Sequence, residues 1–248
     1  VTGQLAATGR QPGSTGGTIV VNAGGTVTVA GTARLDASGR AGGGVIALGT
    51  TRTRAAGGPS VTAQGTATNV VVQKGATITA NATDSGNGGR VAVLSRQTTI
   101  MDGTISATGG RRGGNGGSVE VSGANLGMTG SVNLAAPAGS IGTLLLDPTN
   151  LDIVPRQGSL DGSLPEIDYN TSSGDQPVSN RAIDDSLANI TLQATNDVTV
   201  DPNTPITLQP NVSLTIQTQT GNIVVDGGSP MTASGTGNQE LEAGRTAG

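Results

Sequence analysis

The residues with the most obvious chemical potential are two arginines in a glycine-rich stretch. Arg111 and Arg112 lie in GGRRGGNGG at 109–117, where backbone N–H groups and guanidinium groups could cradle a phosphate or sulfate. A phosphate loop needs Gly-Lys-Ser/Thr leading into a helix, whereas these glycines lead into a strand pattern. A calcium β-roll needs an Asp at the places held by Arg90 and Ser118. We therefore interpret the stretch as a structural turn.

Two close pairs of aspartates are the other candidates, namely Asp184 with Asp185 and Asp197 with Asp201. Clustered carboxylates can do acid/base work on polysaccharides, but neither pair has the basic or aromatic neighbours of a sugar cleft. Asp197, Asp201 and Asn203 could hold a weakly bound calcium ion, although turn capping is the commoner role of such residues. We assign no catalytic, cofactor-binding or metal-binding residue, and we expect no cofactor.

The composition removes several classes of chemistry. The 248 residues include no His, no Cys and one aromatic residue, Tyr169. An imidazole base, a thiolate nucleophile and the usual zinc ligands are therefore excluded, and no aromatic platform for stacking bases exists. Residues 1–146 carry ten Lys and Arg against four Asp and Glu, and residues 147–248 carry three against thirteen. We expect no nucleic-acid partner, because the basic half lacks interleaved aromatic residues.

A double glycine followed by alternating apolar residues recurs along the first half. The clearest copies are GNGGRVAV at 86–93 and GNGGSVEV at 114–121, which place Arg90 and Ser118 at equivalent positions. A second strand pattern precedes these glycines in most repeats. The double glycines lie at 16–17, 42–43, 57–58, 88–89 and 116–117, and the second pattern lies at 3–9, 31–37, 75–81 and 103–109.

Each strand pattern has period two, so one side of the strand is apolar and only two or three side chains wide. Such a stripe becomes stable when successive coils stack in register, because each apolar side chain then covers its equivalent about 4.8 Å away. The sequence therefore predicts an all-β fold, a parallel β-solenoid. Asn87 and Asn115 occupy equivalent corners, where we expect each amide to stack on its neighbour.

Residues 148–189 differ in texture, with Pro148, Pro155, Pro165 and Pro177. We interpret them as an excursion that contains one short helix near Ser179, Ile183 and Leu187 and packs on the solenoid. Strand patterns resume over 190–248. The segment ITLQ occurs twice there, at 190–193 and at 206–209, and this short spacing predicts coils of a different cross-section. We expect about ten coils and a rod of about 50 Å in length.

Two segments resemble a known family. GTLLLDPTNLDIV at 142–154 and SLANITLQATNDVTV at 186–200 are similar to the filamentous haemagglutinin type of large exoprotein, secreted by the two-partner route. The resemblance implies a right-handed parallel β-helix, export across a Gram-negative outer membrane and a role as surface adhesin or stalk. The family's secretion domain carries NPN-type motifs, which this chain lacks, so the resemblance is to the shaft.

Two functional hypotheses follow. The first is a non-catalytic structural and adhesive shaft of a secreted protein on the bacterial surface. Its partners would be a receptor on a host or neighbouring cell, extracellular matrix or biofilm material, and an outer-membrane secretion partner. Neither end carries a solenoid cap, so we also expect an interior piece or end-to-end self-association. The second hypothesis is a carbohydrate-active β-helix enzyme, a polysaccharide hydrolase or lyase.

Overall fold

The chain forms a parallel β-solenoid of about eight turns. The computed structural model describes residues 1–51, 67–155 and 177–244. Its strands, in chain order, are β1 (Gln4–Ala6), β2 (Thr18–Val21), β3 (Thr26–Val29), β4 (Arg34–Asp36), β5 (Val45–Leu48), β6 (Ala67–Val72), β7 (Thr77–Thr79), β8 (Arg90–Met101), β9 (Thr104–Ser106), β10 (Ser118–Ser122), β11 (Asn125–Met128), β12 (Ser131–Asn133), β13 (Thr143–Asp147), β14 (Leu151–Val154), β15 (Val178–Ser179), β16 (Asn189–Ala194), β17 (Val198–Val200), β18 (Ile206–Thr207), β19 (Leu214–Thr218), β20 (Ile223–Val225), β21 (Met231–Thr232) and β22 (Gln239–Glu242). The helix α1 (Asn180–Asp184) follows β15.

Each coil visits three faces in turn. Face 1 holds β1, β4, β7, β9 and β12, then a single bridge from Asn133 to Leu187, and then β18 with β21. Face 2 holds β2, β5, the first half of β8, β10, β13, β16, β19 and β22. Face 3 holds β3, β6, the second half of β8, β11, β15, β14, β17 and β20. All of these strand pairs are parallel, as the repeats predict.

The core consists of stacked columns of equivalent side chains. On face 2 one column runs through the successive strands, and all of its members are 7% exposed or less. These residues are Ile19, Ile46, Val91, Val119, Leu144, Ile190 and Leu214. A thin core of aliphatic side chains is thus sufficient, which explains how the fold dispenses with aromatic residues.

The repeat pattern of the sequence is confirmed with one change. Ser118 pairs with Arg90, which is the register that the two GNGG repeats predict. Some coils are much longer, because Val45 pairs with Arg90 and Thr143 pairs with Asn189. These long coils explain why about eight turns form rather than ten, giving roughly 34 Å between the first and last rungs. The double glycine at 57–58 lies outside the described residues.

The spacing of the two ITLQ segments is not a coil period. Ile190 lies on face 2 and pairs with Leu214 of the next coil, whereas Ile206 lies on face 1 and pairs with Met231. The second half therefore keeps the three faces of the first half. The prediction of a different cross-section was wrong because similar half-buried tetrapeptides serve on different faces.

Asparagine side chains tie neighbouring coils together at the corners. Asn115 N donates to Asn87 Oδ1 at 2.8 Å, and Ser140 N donates to Asn115 Oδ1 at 3.0 Å. Asn189 and Asn211 accept backbone N–H groups one coil onward in the same way. The equivalence of the Asn87 and Asn115 corners is confirmed, but each side-chain oxygen accepts a backbone N–H of the next coil instead of stacking on another amide. These bonds satisfy backbone donors that turns leave without a strand partner.

Face 3 breaks the order of the chain. The strand that follows β13 along the chain, β14, does not pair with β11 of the preceding coil. The later strand β15 lies between β11 and β14 and pairs with both. Val178 pairs with Met128 on one side and with Ile153 on the other. The side chain of Val178 is fully buried in the column formed by these two residues. Face 3 thus holds a strand that is out of sequence order.

The excursion predicted for 148–189 is shorter than expected, because described residues near both of its ends are strands of the solenoid. Residues 151–154 and 178–179 are strands of face 3, and residues 156–176, including Tyr169, lie outside the described part of the chain. The predicted short helix is confirmed as α1, with Ser179 Oγ accepting from Arg181 N at 3.3 Å. Leu187 then joins face 1, where its N–H donates to Val132 O at 2.9 Å.

Two adjacent leucines of β13 provide a test of the inward columns. Leu146 is 1% exposed and points inward, whereas Leu145 points outward and is only partly buried. We expect Leu146→Ala to cost about 2–5 kcal/mol, because it leaves a cavity in a close-packed column. Leu145→Ala should cost less than half of that. Urea unfolding followed by far-UV circular dichroism measures both, and equal losses would contradict the assigned orientation.

Candidate functional site

The glycine-arginine stretch is a turn at the corner between faces 1 and 2. Gly110 and Gly113 form an antiparallel bridge, and the chain then enters β10. Gly114 has φ +111, and a Cβ there would collide with Gly86 O on the neighbouring coil. The turn therefore needs glycine for close approach between coils, which confirms the structural interpretation.

The nearby charges form a ladder across three coils. Asp84 N donates to Arg40 O, and Arg112 N donates to Asp84 O, so the three residues stack. The Asp84 carboxylate contacts the Arg112 guanidinium and lies 3.5 Å from Arg40 Nη2. Arg112 is 72% exposed, and exposed pairs of this kind contribute little stability. Arg111 lies beside this ladder on the exposed turn.

The two aspartate pairs have structural partners. Asp184 Oδ1 accepts from Thr207 N at 2.8 Å, and Asp185 Oδ2 accepts from Arg181 Nε at 2.7 Å. Burial raises the pKa of Asp184, the Thr207 N–H lowers it, and the neighbouring Asp185 raises it further. Asp184 thus fixes the helix to β18, whereas Asp185 closes an i,i+4 ion pair with Arg181 within the helix itself.

Asp197 and Asp201 flank β17 at its opposite ends. Asp197 Oδ1 accepts from Asn222 N of the next coil at 2.7 Å, so the carboxylate ties two coils together rather than capping its own turn. Asn203 has φ 58, in the left-handed region. Across the described ranges, no group of three or more acidic, His or Cys side chains is placed to hold a metal ion.

A polar groove lies at the corner between faces 2 and 3. It has a volume of about 360 Å³, and we call it the corner groove. Five successive coils contribute to it. Its lining residues are Leu94, Ser95, Arg96, Glu120, Ser122, Gly123, Ala124, Asp147, Pro148, Thr149, Gln193, Ala194, Thr195 and Gln219.

The strand register explains why these side chains meet. Ser122 pairs with Leu94 on one side and with Asp147 on the other, and Gln193 continues the same row. Row members face outward because they alternate with the inward columns. Glu120 belongs to a second outward row, between Ala92 and Leu145. It is 6% exposed and accepts from Ser122 Oγ at 3.3 Å.

The sequence interpretation missed this site. Glu120 and Asp147 belong to different repeats, and only the strand register brings them into one groove. A signal existed in the aligned repeats, since Glu120 stands where the previous copy has Ala92. A carboxylate in place of the alanines at positions 47 and 92 of the two preceding coils marks a change in the outer surface.

The groove offers hydrogen-bonding groups along its whole length. Hydroxyl and amide side chains recur from rung to rung, and two carboxylates supply strong acceptors. Among the described residues of the lining, Arg96 is the one cation. It is directed to earlier coils, since its Nη2 donates to Thr68 Oγ1 at 3.0 Å and to Gly24 O at 3.4 Å. Small apolar surfaces, including Pro148 and Leu94, lie between the polar groups.

No protein-family model matches the sequence, and no curated protein is significantly similar to it. The structure itself therefore carries the functional argument. In the described part of the chain, no helix has the length and hydropathy that crossing a lipid bilayer requires.

A second carboxylate with a perturbed pKa is Asp102, at the corner between faces 3 and 1. Burial raises its pKa above the ordinary value of 3.8. Hydrogen bonds from Thr129, whose Oγ1 donates to Asp102 Oδ1 at 2.6 Å, and the charge of Lys74 oppose this rise. The folded state thus binds a proton at Asp102 more tightly than the unfolded chain, so ionised Asp102 lowers stability above the folded-state pKa.

We expect Asp102→Asn to raise the unfolding midpoint at pH 7, because it removes a poorly solvated charge and keeps an oxygen for Thr129. The gain should shrink as the pH falls through the folded-state pKa toward 3.8, where Asp102 itself becomes neutral. Thermal unfolding at a series of pH values measures this. Glu240→Gln, at an exposed residue, is the control for net charge, and an equal gain there would refute the explanation.

Proposed function

We propose that the chain is a rigid, non-catalytic shaft segment of a secreted bacterial surface exoprotein. The observation that carries the proposal is the continuity of the inward columns. On face 3 one column runs through Val29, Val72, Met101, Met128, Val178, Ile153 and Val200, and every member is 1% exposed or less. Each coil bonds to both neighbours along this column, so bending the rod would separate hydrogen-bonded strands.

The resemblance to filamentous haemagglutinin-type exoproteins supplies the biological setting of this proposal. The full protein would leave the cell through an outer-membrane secretion partner and remain at the surface of a Gram-negative bacterium. Its contacts would be with a receptor on another cell, with extracellular matrix or with biofilm material. The segment described here would set the reach and stiffness of that protein.

Inward side chains of the outermost described coils are partly exposed. Leu5 is 38%, Val225 is 38% and Leu241 is 46% exposed, although their equivalents within the stack are buried. In the proposed shaft, end-to-end stacking with a second copy would cover these side chains.

A coil deletion tests the shaft. Removing residues 190–213 deletes one register repeat, because Ile190 pairs with Leu214. We expect a folded rod shortened by about 4.8 Å with an unchanged cross-section, as measured by small-angle X-ray scattering. Removing only residues 190–201 deletes two faces and not the third, and we expect it to disrupt the following coils. Similar behaviour of the two deletions would contradict a modular shaft.

One observation favours the second candidate function, a carbohydrate-active enzyme. Glu120 and Asp147 are two carboxylates that line the same groove, and paired carboxylates are the usual machinery of glycoside hydrolysis. Depolymerisation of a polysaccharide by the unmodified chain, lost in Asp147→Asn, would replace the non-catalytic proposal. We expect no such turnover.

A further inference from the structure

The corner groove has a property that a purely mechanical shaft does not require, which is a polar concave surface that follows the axis. Its lining extends from Leu94 on the third coil to Gln219 on the seventh, roughly 19 Å at the rung spacing of parallel strands. A ligand that used the whole groove would be long, narrow and extended. Its repeating unit would match one rung, as one sugar ring of an extended glycan does.

The chemistry of the lining selects among extended polymers. Ser122, Thr149 and Thr195 offer hydroxyl groups, and Gln193 and Gln219 offer amides, all of which both donate and accept hydrogen bonds. Sugar hydroxyl groups have the same dual capacity. Small apolar side chains between these polar groups provide contacts for sugar C–H groups.

The charges in the groove argue against an acidic polymer. The described lining carries two carboxylates, Glu120 and Asp147, against one guanidinium, Arg96, and this balance is unfavourable for anionic groups in a partly enclosed site. The Arg96 guanidinium is bonded toward Thr68 and Gly24, on earlier coils. Neutral hydroxyl groups, in contrast, donate well to carboxylates, and such charge-assisted hydrogen bonds are strong.

We propose that the corner groove binds a linear neutral polysaccharide, with its chain parallel to the solenoid axis and about one sugar ring per rung. In the described lining the contacts are hydrogen bonds, because none of its residues offers an aromatic ring for stacking on a sugar. Affinity therefore accumulates with the number of rungs occupied. This site goes beyond the proposed shaft, which needs no ligand.

Isothermal titration calorimetry with soluble oligosaccharides tests the proposal on the unmodified chain. The probes are cellohexaose, xylohexaose and N-acetylchitohexaose as neutral glycans, their trisaccharides, and hexagalacturonate as an acidic glycan. We expect at least one neutral hexasaccharide to bind more tightly than its trisaccharide, and hexagalacturonate not to bind. Binding of the acidic glycan alone, or of none of the probes, would overturn the proposal.

Variants locate the binding. Gln193→Ala and Thr195→Ala should each weaken the best hexasaccharide roughly 2- to 10-fold, the loss expected for one hydrogen-bonding side chain. Thr191→Ala is the matched control, because Thr191 lies outward on the same strand but outside the groove. Far-UV circular dichroism confirms that each variant is folded.

If all three variants bound the hexasaccharide as tightly as the unmodified chain, the ligand would bind elsewhere and the site would be refuted. The same conclusion would follow if Thr191→Ala lost as much affinity as the two groove variants. These outcomes are separate from the test of the shaft. A rod that shortens as expected but binds no glycan would keep the shaft and reject the groove. A glycan-binding chain that fails the coil deletion would do the reverse.

Discussion

The register between parallel coils is the constraint on which the whole molecule depends. Each inward aliphatic side chain is buried only because its equivalents on the next coils cover it, as in the column that contains Val119, Leu144 and Ile190. A shift of one residue in the register of a strand would turn its inward apolar side chains outward and would break the hydrogen bonds of the present register. Stability in such a fold comes from neighbouring coils rather than from a thick interior. This explains how a chain with 42 glycines and one aromatic residue can fold.

The out-of-order strand β15 shows how strictly the register is kept. Because β14 does not pair with β11, face 3 would have an unpaired rung between these two strands. Strand β15 occupies that rung, and its Val178 lies in the same column as Met128 and Ile153. The helix α1 and Leu187 then restore face 1, where Ser186 Oγ accepts from Val132 N at 3.2 Å and donates to Ala182 O at 2.6 Å. A large insertion is therefore compatible with an uninterrupted core. Sites of this kind are where a solenoid can acquire new segments without losing its columns.

Outward side chains need not be apolar, because they do not belong to the buried columns. Polar groups that could contact a ligand therefore lie on the outer surface. The corner groove is such a place, because outward rows bring Glu120, Asp147 and Gln193 from three coils into one surface. The ladder of Arg40, Asp84 and Arg112 is another outward row, and it pairs its own charges. The same rung spacing that stabilises the core thus sets the spacing of the surface groups. A periodic polymer is the kind of ligand for which that spacing matters.

The sequence by itself determined the fold class, because short period-two strands recur between equivalent glycine corners, and such a repeat buries its narrow apolar stripe by stacking one coil on the next. It also determined that Asn87 and Asn115 occupy equivalent corners, that Arg111 and Arg112 lie in a turn, and that a short helix follows Ser179, since these features follow from local sequence patterns. Only the tertiary structure decided which strands are neighbours. The two ITLQ segments fall on different faces, β15 pairs out of order, and Glu120 meets Asp147 across a rung. Coil lengths vary, and a residue's neighbours on the next coil depend on the length of every segment between them, which no local pattern records.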